Sequence, residues 1–108
     1  MAYHVQLTDD AASDLEAIYE YISLHDSPSS AEYVLDRIES VFHGLSEHPQ
    51  RGSYPRELLK IGVRDFREVF FKPYRIIYRV AEDIVYVLVI ADGRRDMQTL
   101  LQRRLLQG

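Results

Sequence analysis

Two apolar runs, YRIIYRVA (Tyr74–Ala81) and IVYVLVIA (Ile84–Ala91), lie two residues apart. Two residues, Glu82-Asp83, are the length of a tight hairpin turn, so the runs are read as adjacent antiparallel strands. The second run is apolar at nearly every position. A strand with one wet face alternates, so VYVLVI fits a strand near the centre of a sheet. A chain of 108 residues builds one modest core, and this pair fixes where it must lie. Residues 1–108 are therefore expected to form a single domain.

The remaining elements are placed around that pair. Tyr3, Val5 and Leu7 alternate with His4 and Gln6, which predicts a short strand. Thr8 has the chemistry of an N-cap, and Asp9 and Asp10 follow it at the positive end of a helix dipole. Ala11, Leu15, Ile18 and Ile22 then form one stripe, a helix ending near His25. Ser27-Pro28 is a cap followed by proline at the first helical position. Ala31, Val34, Leu35, Ile38, Val41, Phe42 and Leu45 recur at steps of three and four, predicting a second helix that ends at His48-Pro49. Residues 49–62 carry two prolines and two glycines and read as a loop with one helical turn. A strand is expected at Val63–Phe71, joined to Tyr74–Ala81 through Lys72-Pro73. Asp96 is a second candidate cap, before a short helix with Met97, Leu100, Leu101 and Leu105 on one side. The order is β-α-α-β-β-β-α. The expected fold class is α+β, a mainly antiparallel sheet packed against an N-terminal helical hairpin in two layers.

Charge divides the chain. Residues 1–50 hold ten acids and a single base, Arg37, whereas residues 51–108 hold twelve bases and seven acids. Such halves give a fold one acidic and one basic face, and the basic face suits an acidic partner. The overall net charge of −4 argues against a general DNA-binding protein. No apolar run approaches the roughly 20 residues of a membrane span, and MAYHVQLTDD lacks the features of a signal peptide, so a cytoplasmic protein with no membrane partner is expected. Without cysteine, His4, His25, His43 and His48 make a poor zinc set, and no metal or other cofactor is expected.

Catalysis is harder to place. There is no Gly-x-Ser-x-Gly and no phosphate-binding glycine loop. RNA cleavage through the 2′-hydroxyl needs a base, an acid and cations on the phosphate. Cations abound at Arg64, Arg67, Arg75, Arg79, Arg94 and Arg95, and strand alternation puts Arg75 and Arg79 on one face. A proton-transfer partner is missing. Glu68 is in position to pair with an arginine across the sheet, and the C-terminal segment after Asp92 holds neither His nor Tyr.

Taken in order, VQLTDDAASDLEAIYEYI, AEYVLDRIESVFHGLSEHPQRG and FREVFFKPYRIIYRVAEDIVYVLVIADGRRDMQTLLQRRL resemble the RelE/ParE superfamily of toxins from bacterial type II toxin–antitoxin modules. The resemblance rests on Ala11…Asp14-Leu15…Ile18…Tyr21-Ile22, on Leu45…Pro49…Gly52, on Tyr74-Arg75-Ile76…Tyr78 and on Arg94-Arg95-Asp96, and it covers nearly the whole chain. It is nearer to ParE: the helical hairpin is long, the tail lacks a His- or Tyr-bearing set, and the protein is acidic. The resemblance implies a toxin that inhibits DNA gyrase by protein–protein contact, not itself an enzyme. It implies neutralisation by a small, acidic, partly disordered antitoxin with a DNA-binding N-terminus. Arg67, Arg75, Arg79, Arg94 and Arg95 are then candidates for target or antitoxin binding. The alternative is a RelE-like ribosome-dependent mRNA endonuclease, with Glu68, Arg75 and Arg94 at the reacting phosphate. Arg75→Ala and Arg94→Ala are expected to leave the fold intact and reduce toxicity.

Overall fold

The structure, a computed structural model, describes residues 2–107. It contains β1 (His4–Leu7), α1 (Asp9–His25), α2 (Pro28–His43), a 3₁₀ turn (Gly44–Ser46) and α3 (Arg56–Leu59). These precede β2 (Arg67–Phe71), β3 (Tyr74–Ala81), β4 (Ile84–Asp92), α4 (Met97–Leu101) and a π-helical turn (Gln102–Leu106). The strands form one sheet in the order β1-β4-β3-β2. β2, β3 and β4 are antiparallel neighbours, and β1 lies parallel to β4. The apolar run is therefore an interior strand, as its composition requires. Among the described residues, no helix is long and apolar enough to cross a membrane.

The helix ends form where the capping residues are. Thr8 accepts from the Ala11 N–H at 3.2 Å, Ser27 from Ser30 at 3.1 Å, and Asp96 from Thr99 at 3.2 Å. Each supplies an acceptor to an N–H that has no partner within its helix. α2 stops at His43, short of His48, and a tighter turn carries Leu45 into the core.

β2 is also shorter than expected, beginning at Arg67 instead of Val63. The Val63 N–H turns back to the Leu58 carbonyl at 3.0 Å, closing the end of α3, and Gly62 supplies the positive φ of 79° that this reversal needs. Phe66 is left to fold inward.

The sheet is covered on both faces. Ala11, Leu15 and Ile18 of α1 and Val34, Ile38 and Phe42 of α2 pack on Ile76, Tyr78, Val85, Val87 and Ile90. On the opposite face Leu58, Phe66, Met97, Leu100 and Leu101 cover Ile77, Val89 and Ala91, so the two-layer expectation omits a second, smaller core. A bulge explains how β4 serves both. Ile77 faces Val89 and Tyr78 faces Val87, which leaves Leu88 with no partner on β3. The extra residue switches the alternation: Val85 and Val87 point to the hairpin, then Val89 and Ala91 point away. The unbroken apolar spelling of this strand follows from that switch and from the double cover.

Candidate docking surface

The five arginines singled out by sequence go to different environments. Arg75 and Arg79 do share the sheet face opposite the helical hairpin, but α4 and its neighbours lie over the centre of that face. Arg75 ends on the closed side. Its two terminal nitrogens donate to Glu57 of α3, each at 2.8 Å, and its Nε donates to Glu68 at 2.7 Å. All three side chains are largely buried, at 11%, 17% and 7% exposure.

The triad holds two carboxylates for one guanidinium. The Arg75 hydrogen bonds bring the Glu57 pKa down to about 2, whereas burial pushes Glu68 upward despite its contact with the same arginine. The guanidinium is shared and its stronger, bidentate contact goes to Glu57, so desolvation prevails at Glu68. Arg75 itself is raised, first by the Glu57 hydrogen bond. Glu57 was not among the residues chosen from sequence. Its only local signal was a carboxylate beside the apolar Leu58-Leu59 pair.

Arg67 is also engaged. It donates to the Gly52 carbonyl at 2.8 Å and lies 4.6 Å from the centre of the Tyr54 ring, so it anchors the loop before α3. That loop is held again from inside, where the Tyr78 hydroxyl donates to the Pro49 carbonyl and accepts from the Gly52 N–H, at 2.8 and 2.9 Å.

Arg79, Arg94 and Arg95 remain outside. Arg79 borders a cleft of about 420 Å³ whose walls include Thr8, Phe66, Tyr86, Leu88 and Leu105. Arg94 and Arg95 rim a second cleft of about 370 Å³ between α1 and the C-terminal end of β4. Ala17, Ile18, Tyr21, Tyr74 and Ile90 give it apolar lining, and Asp14 and Asp92 line it as well. Tyr21 is 63% exposed, and the Tyr74 hydroxyl pKa is pushed up, first by burial and then by the nearby Asp92.

The Arg94 side chain, 79% exposed, donates to Asp92 at 2.6 and 2.9 Å and lowers the Asp92 carboxyl pKa. The Arg94 guanidinium is open to water, so an incoming carboxylate can compete with Asp92 for it. The arrangement is a partly apolar trough with two exposed cations at its lip, suited to a segment that carries both apolar and acidic side chains. Among the described residues, no three His, Asp or Glu side chains gather to hold a metal ion.

The comparisons with known proteins agree on a family. Residues 5–97 match the model described as ParE toxin of type II toxin-antitoxin system, parDE. Toxin ParE3 of Caulobacter vibrioides is 33% identical over 97 residues, covering 90% of this chain and 93% of that protein. A chain of the chromosomal ParDE toxin–antitoxin system of P. aeruginosa superposes with a TM-score of 0.71 at 22% identity, over 84% of this chain and 96% of that one. The E. coli toxin RelE, solved as a mutant in the free state, shares the fold at a TM-score of 0.64 and 15% identity, over 97% of this chain and 100% of that one.

Proposed function

From the premise that this chain belongs to the ParE toxin family of type II toxin–antitoxin systems, we propose that it acts by protein contact on DNA gyrase and is not itself a nuclease. The observation that carries this reading is the Glu57–Arg75–Glu68 triad. Arg75 is one of the two arginines that the sequence offered, with Arg94, to hold a phosphate. Its hydrogen-bonding fork is already filled by two carboxylates, and an RNA phosphate would have to displace both against their charge. The exposed cations, Arg79, Arg95 and the Asp92-paired Arg94, stand beside partly apolar clefts, with no His at either. Cations on a rim, around a partly apolar floor, are the makings of a protein-binding surface.

The same surface suits an antitoxin. An acidic, partly disordered segment that folds on contact would lay apolar residues against Ile18, Tyr21 and Tyr74 and offer carboxylates to Arg94 and Arg95. Occupying that surface would withhold it from the target, which is neutralisation by competition. A cytoplasmic location follows from gyrase as the target.

Two reactions test the reading. Purified protein is expected to inhibit supercoiling by gyrase and to leave mRNA intact in a translating extract. Codon-positioned mRNA cleavage with supercoiling unaffected would establish the RelE-like endonuclease in its place.

A further inference from the structure

β1 is four residues long and pairs with β4 only from Ile84 to Val87. At Thr8 the chain leaves the sheet, its N–H and its hydroxyl both donating to the Val87 carbonyl at 3.0 and 3.3 Å. β4 continues to Asp92 with β3 on one side and, among the described residues, no strand on the other. An uncovered strand edge is a template for pairing with another chain.

Two side chains from opposite ends of the sequence close this edge. Asp14 of α1 accepts the Ile90 N–H at 2.9 Å. Arg104 of the final turn donates to the Leu88 carbonyl at 2.8 Å. The two also pair with each other, at 3.1 and 3.0 Å, and each side chain is only 17% exposed. Together they replace the missing continuation of β1, supplying one acceptor and one donor where the next strand would supply them.

The groups so closed are self-complementary. In an antiparallel pair, the residues on either side of a non-hydrogen-bonded position exchange C=O and N–H across it. A twofold axis at Val89 would match the Ile90 N–H of each copy with the Leu88 carbonyl of the other. Such an isologous contact needs no second surface.

We propose that the Asp14–Arg104 pair is an autoinhibitory edge seal that withholds β4 from strand pairing with a second copy of this chain. Asp14 also lines the cleft beside Arg94 and Arg95, and Arg104 the cleft beside Arg79, but the seal is read from the edge groups of β4 and does not depend on which target the protein meets. Its weak point is the last turn, Gln102–Leu106, which contains no fully buried residue. Losing Arg104 opens the Leu88 carbonyl directly and loosens the Asp14 carboxylate that caps the Ile90 N–H, because the guanidinium holds both of its oxygens.

The test compares the wild-type chain with Arg104→Met by sedimentation velocity over a concentration series and by hydrogen exchange at single amides. Methionine keeps the apolar stem and removes the guanidinium. The wild type is expected to sediment as a monomer. Arg104→Met is expected to dimerise as concentration rises. In its dilute monomer the Ile90 amide should exchange about tenfold faster, while the Val85 amide, in the half of β4 paired with β1, keeps its rate. A variant that stays monomeric at every concentration overturns the proposal, and so does a dimer in which Val85 is deprotected equally. Should Arg104→Met fail to fold, Asp14→Ala applies the same test, since it removes the acceptor of the Ile90 N–H together with the ion pair. It is expected to dimerise at higher concentration, and a monomer throughout overturns the proposal equally.

Discussion

Arg75 binds Glu57 end-on through both terminal nitrogens, 2.8 Å each, joining β3 to a helix eighteen residues earlier in the chain. With Glu68 on its Nε, this arginine ties α3 to two strands. Arg75→Ala would leave two buried carboxylates facing one another. Removing one partner of a buried ion pair costs about 3 kcal/mol or more, a large part of the 5–15 kcal/mol that holds a domain of this size together. Urea unfolding is expected to show a lower midpoint at neutral pH. This reverses the sequence-based expectation that Arg75→Ala leaves the fold intact, because that expectation took the side chain to be at the surface.

The two glutamates give opposite pH dependence. Glu57 titrates at about 2 in the folded protein against 4.5 unfolded. Its contribution to stability is therefore complete above about 4.5 and is lost as pH falls toward 2. Glu68 is raised above 4.5, so the folded state holds that proton longer, and ionising it removes stability as pH climbs through that range. Glu57→Gln is expected to flatten the acid limb of a pH–stability profile, and Glu68→Gln to remove the opposing slope above 4.5. Urea midpoints from pH 2 to 7 measure both. A Glu57→Gln profile parallel to the wild type throughout would contradict the assignment.

Arg94 and Arg95 are expected to behave differently from Arg75. Both are exposed, and the one ion pair involved, Arg94 with Asp92, lies open to water. Alanine at either position should leave the melting temperature unchanged. The double substitution Arg94→Ala with Arg95→Ala should weaken inhibition of supercoiling at least tenfold if these cations meet the target. Full inhibition by the doubly substituted protein, with unaltered melting, would remove them from the docking surface.

Tyr78 is fully buried and satisfies two backbone groups of the loop before α3. Tyr78→Phe leaves the Gly52 N–H and a Pro49 carbonyl without this partner, at a cost of about 2 kcal/mol. Gly52→Ala should cost at least as much. Its Cβ would lie 2.6 Å from the Glu68 carbonyl oxygen and 2.7 Å from the Tyr78 hydroxyl, and the first of these is fixed in a strand. Denaturant melts of both variants check the pair.

Glu82, in the turn between β3 and β4, has a φ of 56°, in the left-handed region where a side chain is unfavourable. Glu82→Gly is expected to raise stability by about 0.5–1 kcal/mol without altering partner binding. A loss of stability would show that the glutamate side chain makes a contribution outweighing the strain.

Local patterns in the chain settled the elements. Caps at Thr8, Ser27 and Asp96 formed where their side chains are, because a capping hydrogen bond closes within three residues. The stripes of α1 and α2 and the two-residue turn at Glu82-Asp83 are equally short-range, and the unbroken apolar run specified an interior strand. Even the partner of Glu68 was legible as an arginine across the sheet, since strand alternation limits the choice.

The fates of the arginines were not. Arg75 and Arg79 sit four residues apart on one face of one strand, yet one is buried between carboxylates and the other stands at an open cleft. The difference comes from α3, which brings Glu57 over Arg75, whereas Arg79 borders a cleft that it shares with Leu105 of the last turn. Asp14 and Arg104 likewise look like ordinary surface charges until the sheet places them together across 90 residues. Sequence alone determined which segments are helix, strand and turn, apart from the end of α2 and the start of β2, because those choices rest largely on neighbouring residues. Tertiary structure decided which charges are spent inside and which remain free, because a charge's partner is whatever folding brings within hydrogen-bond reach.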